Sequence, residues 1–255
     1  MRRKTSGTAG IAWITGASSG IGRALAVELA RDSWEVAVSA RSKEDLLALE
    51  DAVPGQIFAF PLDVTNGATV AKTFGLIEDR LGPVDLAVFS AGTYARDGVR
   101  DFHAARFSSI VNLNLLGTVH CLEVVMAQML ARGSGHIAVV ASTAGLVGLP
   151  GAAAYGASKA ALIAMCEALY PDLRKQGIDL SLINPGFVDT PLTKKNDFPM
   201  PFLVPADKAA AIIARGLKAR RYEIVFPWQM AVAMKALRLM PARLRFAITR
   251  RMLRD

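Results

Sequence analysis

The sequence has few of the residues that form disulfides or metal centres. Only 2 cysteines, Cys121 and Cys166, and 3 histidines occur among its 255 residues. Two cysteines cannot build a disulfide framework, and no His/Cys cluster has the spacing of a zinc site. We therefore expect a reducing, cytoplasmic location and no bound metal.

Long uninterrupted hydrophobic runs are also missing. Arg2, Arg3 and Lys4 resemble the charged start of a signal peptide, but the apolar run at 11–14 is too short for its core. Residues 133–158 carry no Lys, Arg, Asp or Glu and are long enough for a membrane span. Because glycines and Pro150 interrupt this segment, it is more typical of a buried strand and a loop. The sequence predicts no transmembrane helix.

Acidic residues are scarce at the end of the chain. The 30 Lys+Arg and 22 Asp+Glu give a formal net charge of +8, which by itself favours nucleic acid or an anionic membrane as a partner. Residues 215–255 hold 11 Lys/Arg against Glu223 and Asp255, whereas residues 5–214 hold 16 against 20 acids. The body is therefore acidic. Since no basic surface is interleaved with aromatic residues, we expect no nucleic-acid binding.

Short apolar runs alternate with segments of helical period. The predicted strands are 10–15, 35–39, 56–60, 84–89, 135–141, 178–184 and 222–226, and the predicted helices are 20–32, 43–52, 66–81, 103–131, 155–176 and 206–219. This alternation indicates an α/β fold, a doubly wound parallel sheet of about seven strands with helices on both faces. Pro171 should bend or divide its helix. The simplest organisation is one domain over 1–227 and a tail over 228–255.

A glycine-rich turn joins the first predicted strand to the first helix, in the run TGASSGIG at 15–22. Gly16 permits a tight turn, Gly20 lets the backbone approach a pyrophosphate, and Gly22 lets the helix pack on the strand. The helix N-terminus then offers N–H groups and partial positive charge to the phosphates. The turn predicts a dinucleotide site; a merely structural turn is the alternative.

The end of the second strand bears on which dinucleotide is bound. An NAD-binding unit of this kind commonly places an acid about 20 residues after the glycines, to bind the ribose 2′-hydroxyl. The run VSARS at 38–42 has no acid and contains Arg41. A guanidinium can bind a 2′-phosphate, which favours NADP(H) over NAD(H). A solvated arginine at a strand end is the alternative.

Tyr155 and Lys159 are four residues apart at the start of a predicted helix and so share a face. An ammonium beside a phenol favours the phenolate and lowers the pKa of the phenol from about 10 toward neutrality. The pair alone is weak evidence of catalysis, but Ser142 ends the preceding strand, where its hydroxyl could polarise a carbonyl. Asn114 lies in a long predicted helix, where a buried amide needs a partner.

In combination, these residues resemble the short-chain dehydrogenase/reductase family over about residues 10–227. The resemblance depends on the turn at 15–22, Asp63-Val64, Ser90-Ala91-Gly92, Asn114, Ser142, Tyr155 with Lys159, and Pro185-Gly186 through Thr190. It implies a Rossmann fold and hydride exchange between a nicotinamide and a carbonyl or secondary alcohol. Ser90 stands where the family often has asparagine, and we expect a minor effect.

The resemblance also implies a role for each site residue. Tyr155 would be the general acid/base, Ser142 would orient the substrate oxygen, and Lys159 would hold the nicotinamide ribose and lower the pKa of Tyr155. Asn114 would anchor a water that links Lys159 to solvent. The implied cofactor-binding residues are Gly16, Ser18, Ser19, Gly20, Ile21, Gly22, Arg41, Asp63, Val64, Ala91, Gly92, Tyr155, Lys159, Pro185, Gly186, Val188 and Thr190.

Two apolar segments bear on the substrate. A stretch at 187–205, where the family has its lid, contains Phe187 and Leu192, and the loop after Ser142 contains Leu146, Val147 and Leu149. Both favour a hydrophobic, lipid-, acyl- or steroid-like carbonyl or alcohol. Packing of these residues on one another when the lid closes is an equally supported alternative.

The tail at 228–255 combines apolar and basic residues. In a helix that begins near Pro241, one face carries Arg243, Arg250 and Arg254, and another carries Leu244, Ile248 and Met252. Packing on the body or against a subunit is favoured over peripheral contact with an anionic membrane, which such a helix also suits. We expect a homo-oligomer, a dimer or tetramer.

The sequence as a whole predicts an NADP(H)-dependent carbonyl reductase or alcohol dehydrogenase. The alternative is a regulatory protein that binds the cofactor without catalysis. Its disadvantage is that Asn114, Ser142, Tyr155 and Lys159 are all present, since such proteins usually lose one member of the set.

Overall fold

The short β-branched runs of the chain form one central sheet. The structure is a computed structural model that describes residues 8–253, so the basic residues at 2–4 and Arg254 lie outside the described residues. The strands are β1 (Gly10–Thr15), β2 (Trp34–Ser39), β3 (Ile57–Ala59), β4 (Leu86–Phe89), β5 (Gly135–Val140), β6 (Ile178–Pro185), β7 (Val188–Asp189), β8 (Val204–Pro205) and β9 (Glu223–Phe226). Seven of them form a sheet in the order β3-β2-β1-β4-β5-β6-β9, with every neighbouring pair parallel. The predicted doubly wound parallel sheet is confirmed.

Helices connect the strands and cover both faces of the sheet. They are α1 (Gly20–Arg31), α2 (Lys43–Ala52), α3 (Gly67–Leu81), α4 (Ala104–Val111), α5 (Gly117–Arg132), α6 (Ala153–Lys175), α7 (Ala206–Lys218), α8 (Trp228–Leu239) and α9 (Ala242–Arg250). A π-helical turn, Asn112–Leu116, joins α4 to α5, and 3₁₀ turns occupy Thr143–Gly145 and Thr193–Lys195.

Alternate residues of each strand serve two separate cores. On one face, Trp13 of β1 packs edge-on against Phe89 at a centroid distance of 6.0 Å, within the core that includes α3, α5 and α6. On the other face, the next residue, Ile14, packs with Leu25 of α1 and Ile213 of α7. Both faces of the sheet are therefore buried, which is why its strands are apolar throughout.

The strand order places a crevice at the carboxyl edge of the sheet. From β1 the chain runs outward to β2 and β3, and then returns to place β4 on the other side of β1. Connections that leave in opposite directions cannot cover the ends of β1 and β4, so a ligand crevice opens there. The glycine-rich turn after β1 lies at this point.

Pro171 does not divide its helix, because α6 runs without a break over Ala153–Lys175. The prediction of a divided helix is wrong for a local reason. Pro171 and Glu167, the residue four positions earlier, are both exposed, so water can satisfy the carbonyl that loses its amide partner.

The helical stretch Ala104–Arg132 is the one such stretch in the described part of the chain that is long and apolar enough to cross a membrane, with a mean hydropathy of 1.5. Its α5 portion buries Cys121, Leu122 and Val125 in the core beside Trp13. The fold therefore uses this stretch as a core helix. The buried Cys121 thiol is unpaired, and burial raises its pKa to about 12.

The tail forms two helices that return to the body. The inner face of α8 buries Met230, Met234 and Leu237 in the same core as Trp13, and α8 also lies beside the 3₁₀ turn that follows Ser142. Surface packing was the favoured expectation for the tail, and the described residues of α8 are packed in this way.

Candidate active site

A cleft of about 660 Å³ opens at the carboxyl edge of the sheet. The residues that the sequence assigned to cofactor binding all line this cleft, as do three of the four catalytic candidates, Ser142, Tyr155 and Lys159. They come from the ends of six strands that are widely separated in the chain and from the helix α6. The cleft also contains residues that sequence reasoning missed, namely Ala40, Ser42, Glu44, Leu62, Leu113 and Thr193.

The glycine turn is built without room for side chains. Gly16 has a φ of +71°, and a Cβ there would lie 2.7 Å from the backbone nitrogen of Ala91. Gly20 has a φ of +56°, and a Cβ there would lie 3.1 Å from Thr190. A Cβ at Gly22 would collide with the carbonyl of Gly16. All three positions therefore exclude a side chain, and at Gly16 and Gly22 this allows two backbone segments to approach closely. The approach of Gly20 to a pyrophosphate stays a prediction.

The N-terminus of α1 points its N–H groups into this cradle. Ser19 is the N-cap, and its side chain makes no capping hydrogen bond. The first turn of α1 contains no acidic residue that would compete for the N–H groups. N–H groups without a side-chain cap and the positive end of the helix dipole fit a diphosphate, as the sequence predicts for this turn.

Arg41 and Asp63 lie at the far end of the cleft from Tyr155. Arg41 follows β2 and is exposed, whereas Asp63 accepts hydrogen bonds from the backbone N–H of Thr65 at 2.9 Å and from its hydroxyl at 2.8 Å. The Thr65 amide, with help from the charge of Arg41, holds the pKa of Asp63 below its usual value. Glu44 lines the same end, so the guanidinium there is accompanied by carboxylates.

Lys159 projects from α6 into the opposite end of the cleft. Its ammonium donates to the carbonyl of Val140 at 2.9 Å and lies 5.7 Å from the centre of the Tyr155 ring. The residue is only 5% exposed, and desolvation lowers its pKa to about 8. Lys159 is therefore still mostly protonated at neutral pH.

Ser142 and Tyr155 both line the cleft beyond the end of β5. The Ser142 hydroxyl also lies 3.4 Å from the carbonyl of Pro185, and it accepts from the N–H of Ala144 at 3.1 Å. Burial raises the pKa of Tyr155, and the hydrogen bond with Ser142 opposes that rise. The expected lowering of this pKa by Lys159 is therefore not found in the chain itself, because removal of the phenol from water outweighs the neighbouring groups.

Asn114 is fully buried in the π-helical turn and does not line the cleft. Its side-chain oxygen accepts from the Thr93 N–H at 2.7 Å, and its amide donates to the Thr93 carbonyl and the Ser158 hydroxyl, both at 3.0 Å. A Cβ on Gly92 would lie 3.3 Å from the Asn114 oxygen and 3.6 Å from the Lys159 nitrogen. Asn114 and Lys159 thus meet around Gly92; the water between them remains a prediction.

Two further residues adjust the position of Tyr155. The ring of Tyr94 packs edge-on against Tyr155 at 5.3 Å, and its hydroxyl lies 3.4 Å from the carbonyl of Gly151. Asp97 accepts hydrogen bonds from the N–H groups of Ala153 and Ala154, each at 2.7 Å, and so caps the helix that carries Tyr155. Sequence reasoning missed both because their partners are more than 50 residues away.

The segment at 187–205 lies along one side of the cleft. Val188, Thr190 and Leu192 line it, and Phe187 packs on Phe198 at a ring-centre distance of 5.9 Å. An ion pair of 3.5 Å joins Asp197 of this segment to Arg96 in the loop after β4. Both partners are well exposed, so this ion pair by itself contributes little to holding the segment in place.

Leu146 and Val147 face away from the catalytic residues. They are each 8% exposed and line a second cavity of about 440 Å³, between α6 and the tail, together with Arg238 and Phe246. The loop after Ser142 was one of two apolar segments predicted to line the substrate site. At Leu146 and Val147 that prediction is wrong, because both side chains pack within the protein. Ile21, Leu62, Leu113 and Leu192 are the larger apolar side chains that line the cleft.

Comparison with known proteins agrees with this geometry. A family model described as short chain dehydrogenase matches residues 10–199. The chain belongs to the short-chain dehydrogenase family. A relative from Myxococcus xanthus (strain DK1622), named an uncharacterized oxidoreductase, is 37% identical over 244 residues, which cover 94% of this chain and 96% of that protein. Membership makes this chain an oxidoreductase with alcohol or carbonyl chemistry.

Solved structures of the short-chain dehydrogenase family have the same fold. One from Streptomyces avermitilis is 26% identical, with a TM-score of 0.84 over 97% of this chain and 98% of that one. One from Burkholderia phymatum, described as a complex with NAD, is 25% identical, with a TM-score of 0.83 over 91% of this chain and 93% of that one. The resemblance drawn from the sequence motifs is confirmed.

Proposed function

We propose that this short-chain dehydrogenase is an NADP(H)-dependent oxidoreductase that transfers hydride between the nicotinamide and a hydrophobic carbonyl or secondary alcohol. The observation that carries the proposal is one cleft with Arg41 at one end and Ser142, Tyr155 and Lys159 at the other. The uncapped N-terminus of α1 and the side-chain-free glycine cradle lie between those ends, and they fit a dinucleotide diphosphate.

Each of the site residues Ser142, Tyr155 and Lys159 has a separate role in the proposed reaction. When bound, the nicotinamide supplies hydride to a carbonyl carbon or accepts it from an alcohol carbon. Ser142 donates a hydrogen bond that orients the substrate oxygen, and Tyr155 gives that oxygen a proton in reduction or takes one in oxidation. Lys159 holds the nicotinamide ribose. Burial raises the pKa of Tyr155, so in the chain without cofactor the phenol is in the protonated form that donates to a carbonyl oxygen in reduction.

Other residues of the site serve proton exchange with solvent and contact with the substrate. Asn114 braces Thr93 and Ser158 around Lys159, which keeps a route for protons from solvent open at that point. Leu192, on the segment at 187–205, gives the cleft an apolar lining beside Val188. This lining supports a bulky hydrophobic carbonyl, such as a lipid-, acyl- or steroid-like ketone. A homo-oligomer with the same cleft in each subunit is also part of the proposal.

The cofactor preference is tested by Arg41→Ala. Loss of the guanidinium should weaken NADPH binding by about tenfold or more, because a hydrogen bond between charged groups contributes about 1.5–3 kcal/mol. NADH binding should stay nearly unchanged. Fluorescence titration of both cofactors measures this, with Arg31→Ala on the far end of α1 as the matched loss of one cation. Equal affinity of the wild type for the two cofactors rejects the preference.

The catalytic assignment is tested by Tyr155→Phe. Removal of the phenol hydroxyl should lower turnover by about 10²–10⁴-fold, the usual contribution of a positioned acid or base, and leave cofactor affinity nearly the same. Tyr94→Phe is the control, since Tyr94 touches Tyr155 through its ring and loses only its bond to Gly151. Ketones of graded chain length, assayed by loss of nicotinamide absorbance, identify the substrate class. Turnover of small polar carbonyls alone argues against the hydrophobic substrate.

A further inference from the structure

The outer side of α8 carries a stripe of exposed apolar side chains. Trp228, Val232 and Leu239 are 69%, 58% and 85% exposed, and their spacing of four and seven residues places them on one face of the helix. The opposite face is the one that buries Met230 and Met234. A helix on the surface of a globular protein buries one apolar face in the core. The second, exposed apolar face of α8 therefore indicates a contact with a further partner.

The outer side of α9, the next helix of the tail, carries a further exposed apolar side chain together with positive charge. Phe246 is 62% exposed, and Arg243 and Arg250, seven residues apart, lie beside it on the solvent side of α9. Ile248 and Thr249 turn inward instead. We define the tail surface as Trp228, Val232, Leu239 and Phe246 together with Arg243 and Arg250.

No acidic residue interrupts the charge of this segment, since residues 228–253 contain neither Asp nor Glu. Lys235 is held by Glu223 at 2.6 Å, but Arg243 and Arg250 form no ion pair within the described part of the chain. Their positive charge therefore faces solvent without compensation, beside apolar side chains that water solvates poorly.

We propose that the tail surface docks the protein on an anionic lipid surface. Tryptophan and leucine enter the headgroup boundary, and arginines beside them pair with lipid phosphates, which accounts for both properties of the surface at once. A second copy of the chain is a poorer occupant. A two-fold contact would place Arg243 and Arg250 of one protomer near the same arginines of its partner.

Docking in this way brings the substrate end of the cleft close to the lipid. The inner face of α8 lies against the 3₁₀ turn after Ser142, and a Cβ on Gly186 would lie 3.2 Å from Met230. The helix that touches lipid on one side thus touches the walls of the active site on the other. A hydrophobic ketone can reach the cleft from the lipid surface, although lipid docking itself does not depend on the proposed reaction.

Vesicle binding tests the proposal with the full chain. Sedimentation with phosphatidylcholine vesicles and with mixed phosphatidylcholine/phosphatidylglycerol vesicles should show binding to the anionic vesicles only, weakened by salt. Trp228 is also a built-in reporter, because Trp13 is fully buried and Trp34 is partly buried. Its emission should shift to the blue on binding. Equal binding to both vesicle types, or no binding, overturns the proposal.

Paired variants assign the binding to the tail surface. Arg243→Gln/Arg250→Gln should lower the partition coefficient by roughly 25-fold, since each basic residue near an anionic surface contributes roughly a fivefold factor. Lys72→Gln/Lys175→Gln makes the same change of charge at exposed positions elsewhere and should retain binding. If the two pairs behave alike, binding reflects net charge only and the assignment is wrong.

The apolar stripe is tested separately. Val232→Ser/Leu239→Ser keeps Trp228 as the reporter and should weaken binding about tenfold or more, whereas Leu76→Ser, an exposed apolar site on α3, should not. Turnover of a soluble ketone without vesicles should be the same in all these variants, which shows that they are folded. Sedimentation velocity measures the oligomeric state of the stripe variant. If this variant binds vesicles normally but its oligomeric state changes, a second copy of the chain occupies the stripe, and the lipid proposal is wrong.

Discussion

At the scale of single residues, Lys159 carries its charge where water barely reaches it. The side chain is 5% exposed, one carbonyl, that of Val140, accepts its hydrogen bond, and its pKa falls from 10.5 to about 8. Between pH 8 and pH 10.5 the unfolded chain therefore binds more protons than the folded chain. Stability contributed by this group rises with pH across that window and is lowest below pH 8. The buried charge of Lys159 thus lowers the stability of the fold, and the active site retains it.

We predict that Lys159→Met abolishes turnover and at the same time stabilises the protein at pH 7. A shift of this size corresponds to at most about 3 kcal/mol in the free energy of unfolding, from which the lost bond to Val140 must be subtracted. The gain should shrink as the pH approaches 10.5, because the wild type then folds with a neutral amine. Urea unfolding at several pH values measures it, with exposed Lys72→Met as the control. A gain that does not change with pH contradicts the prediction.

At the scale of elements, α6 depends on a residue from another loop for its start. Ala152, at its N-cap, offers no side-chain acceptor, and Asp97 supplies both acceptors for the N–H groups of Ala153 and Ala154. Asp97 is 6% exposed, and its negative charge also faces the positive end of the helix dipole. The helix that carries Tyr155 and Lys159 is therefore fixed to the loop that carries Gly92.

We predict that Asp97→Ala lowers the free energy of unfolding by about 2–3 kcal/mol, because it leaves the N–H groups of Ala153 and of the buried Ala154 without their acceptor. Turnover should fall as well, since Tyr155 directly follows Ala154. Asp97→Asn, which keeps one acceptor, should recover part of both losses, and Asp101→Ala in the same loop should cause neither. Chemical unfolding and initial rates measure the two effects. Lost stability with full turnover would show that the cap does not position Tyr155.

At the scale of the whole molecule, the sheet order decides what the cleft contains. Gly16, Arg41, Gly92, Ser142 and Pro185 each follow a different strand, and parallel strands bring all of these ends to one edge. The positive charges that give the net charge of +8 are also distributed unevenly between the cleft and the rest of the fold. Arg41 brings positive charge into the cleft, whereas most of the excess lies on α8, α9 and the chain end, outside it.

Much of this arrangement follows from local sequence. The seven sheet strands were predicted because β-branched runs of five or six residues alternate with longer helical periods, and the glycines at 16, 20 and 22 have spacings that serve one backbone geometry. Tyr155, Lys159 and Ser142 were identified by their positions relative to those elements. The helix over 153–175 was also predicted, but its continuity through Pro171 was not, because that depends on which carbonyl reaches water.

The sequence by itself determined the fold class and the order of the elements, since each depends on periodicity within one element, and its motifs named the candidate catalytic side chains. Tertiary structure alone decided the cap that Asp97 places on α6, the contact of Tyr94 with Tyr155, and the inward turn of Leu146 and Val147. It also decided which face of α8 packs and which stays exposed. These properties depend on contacts between residues far apart in the chain, and no local pattern encodes them.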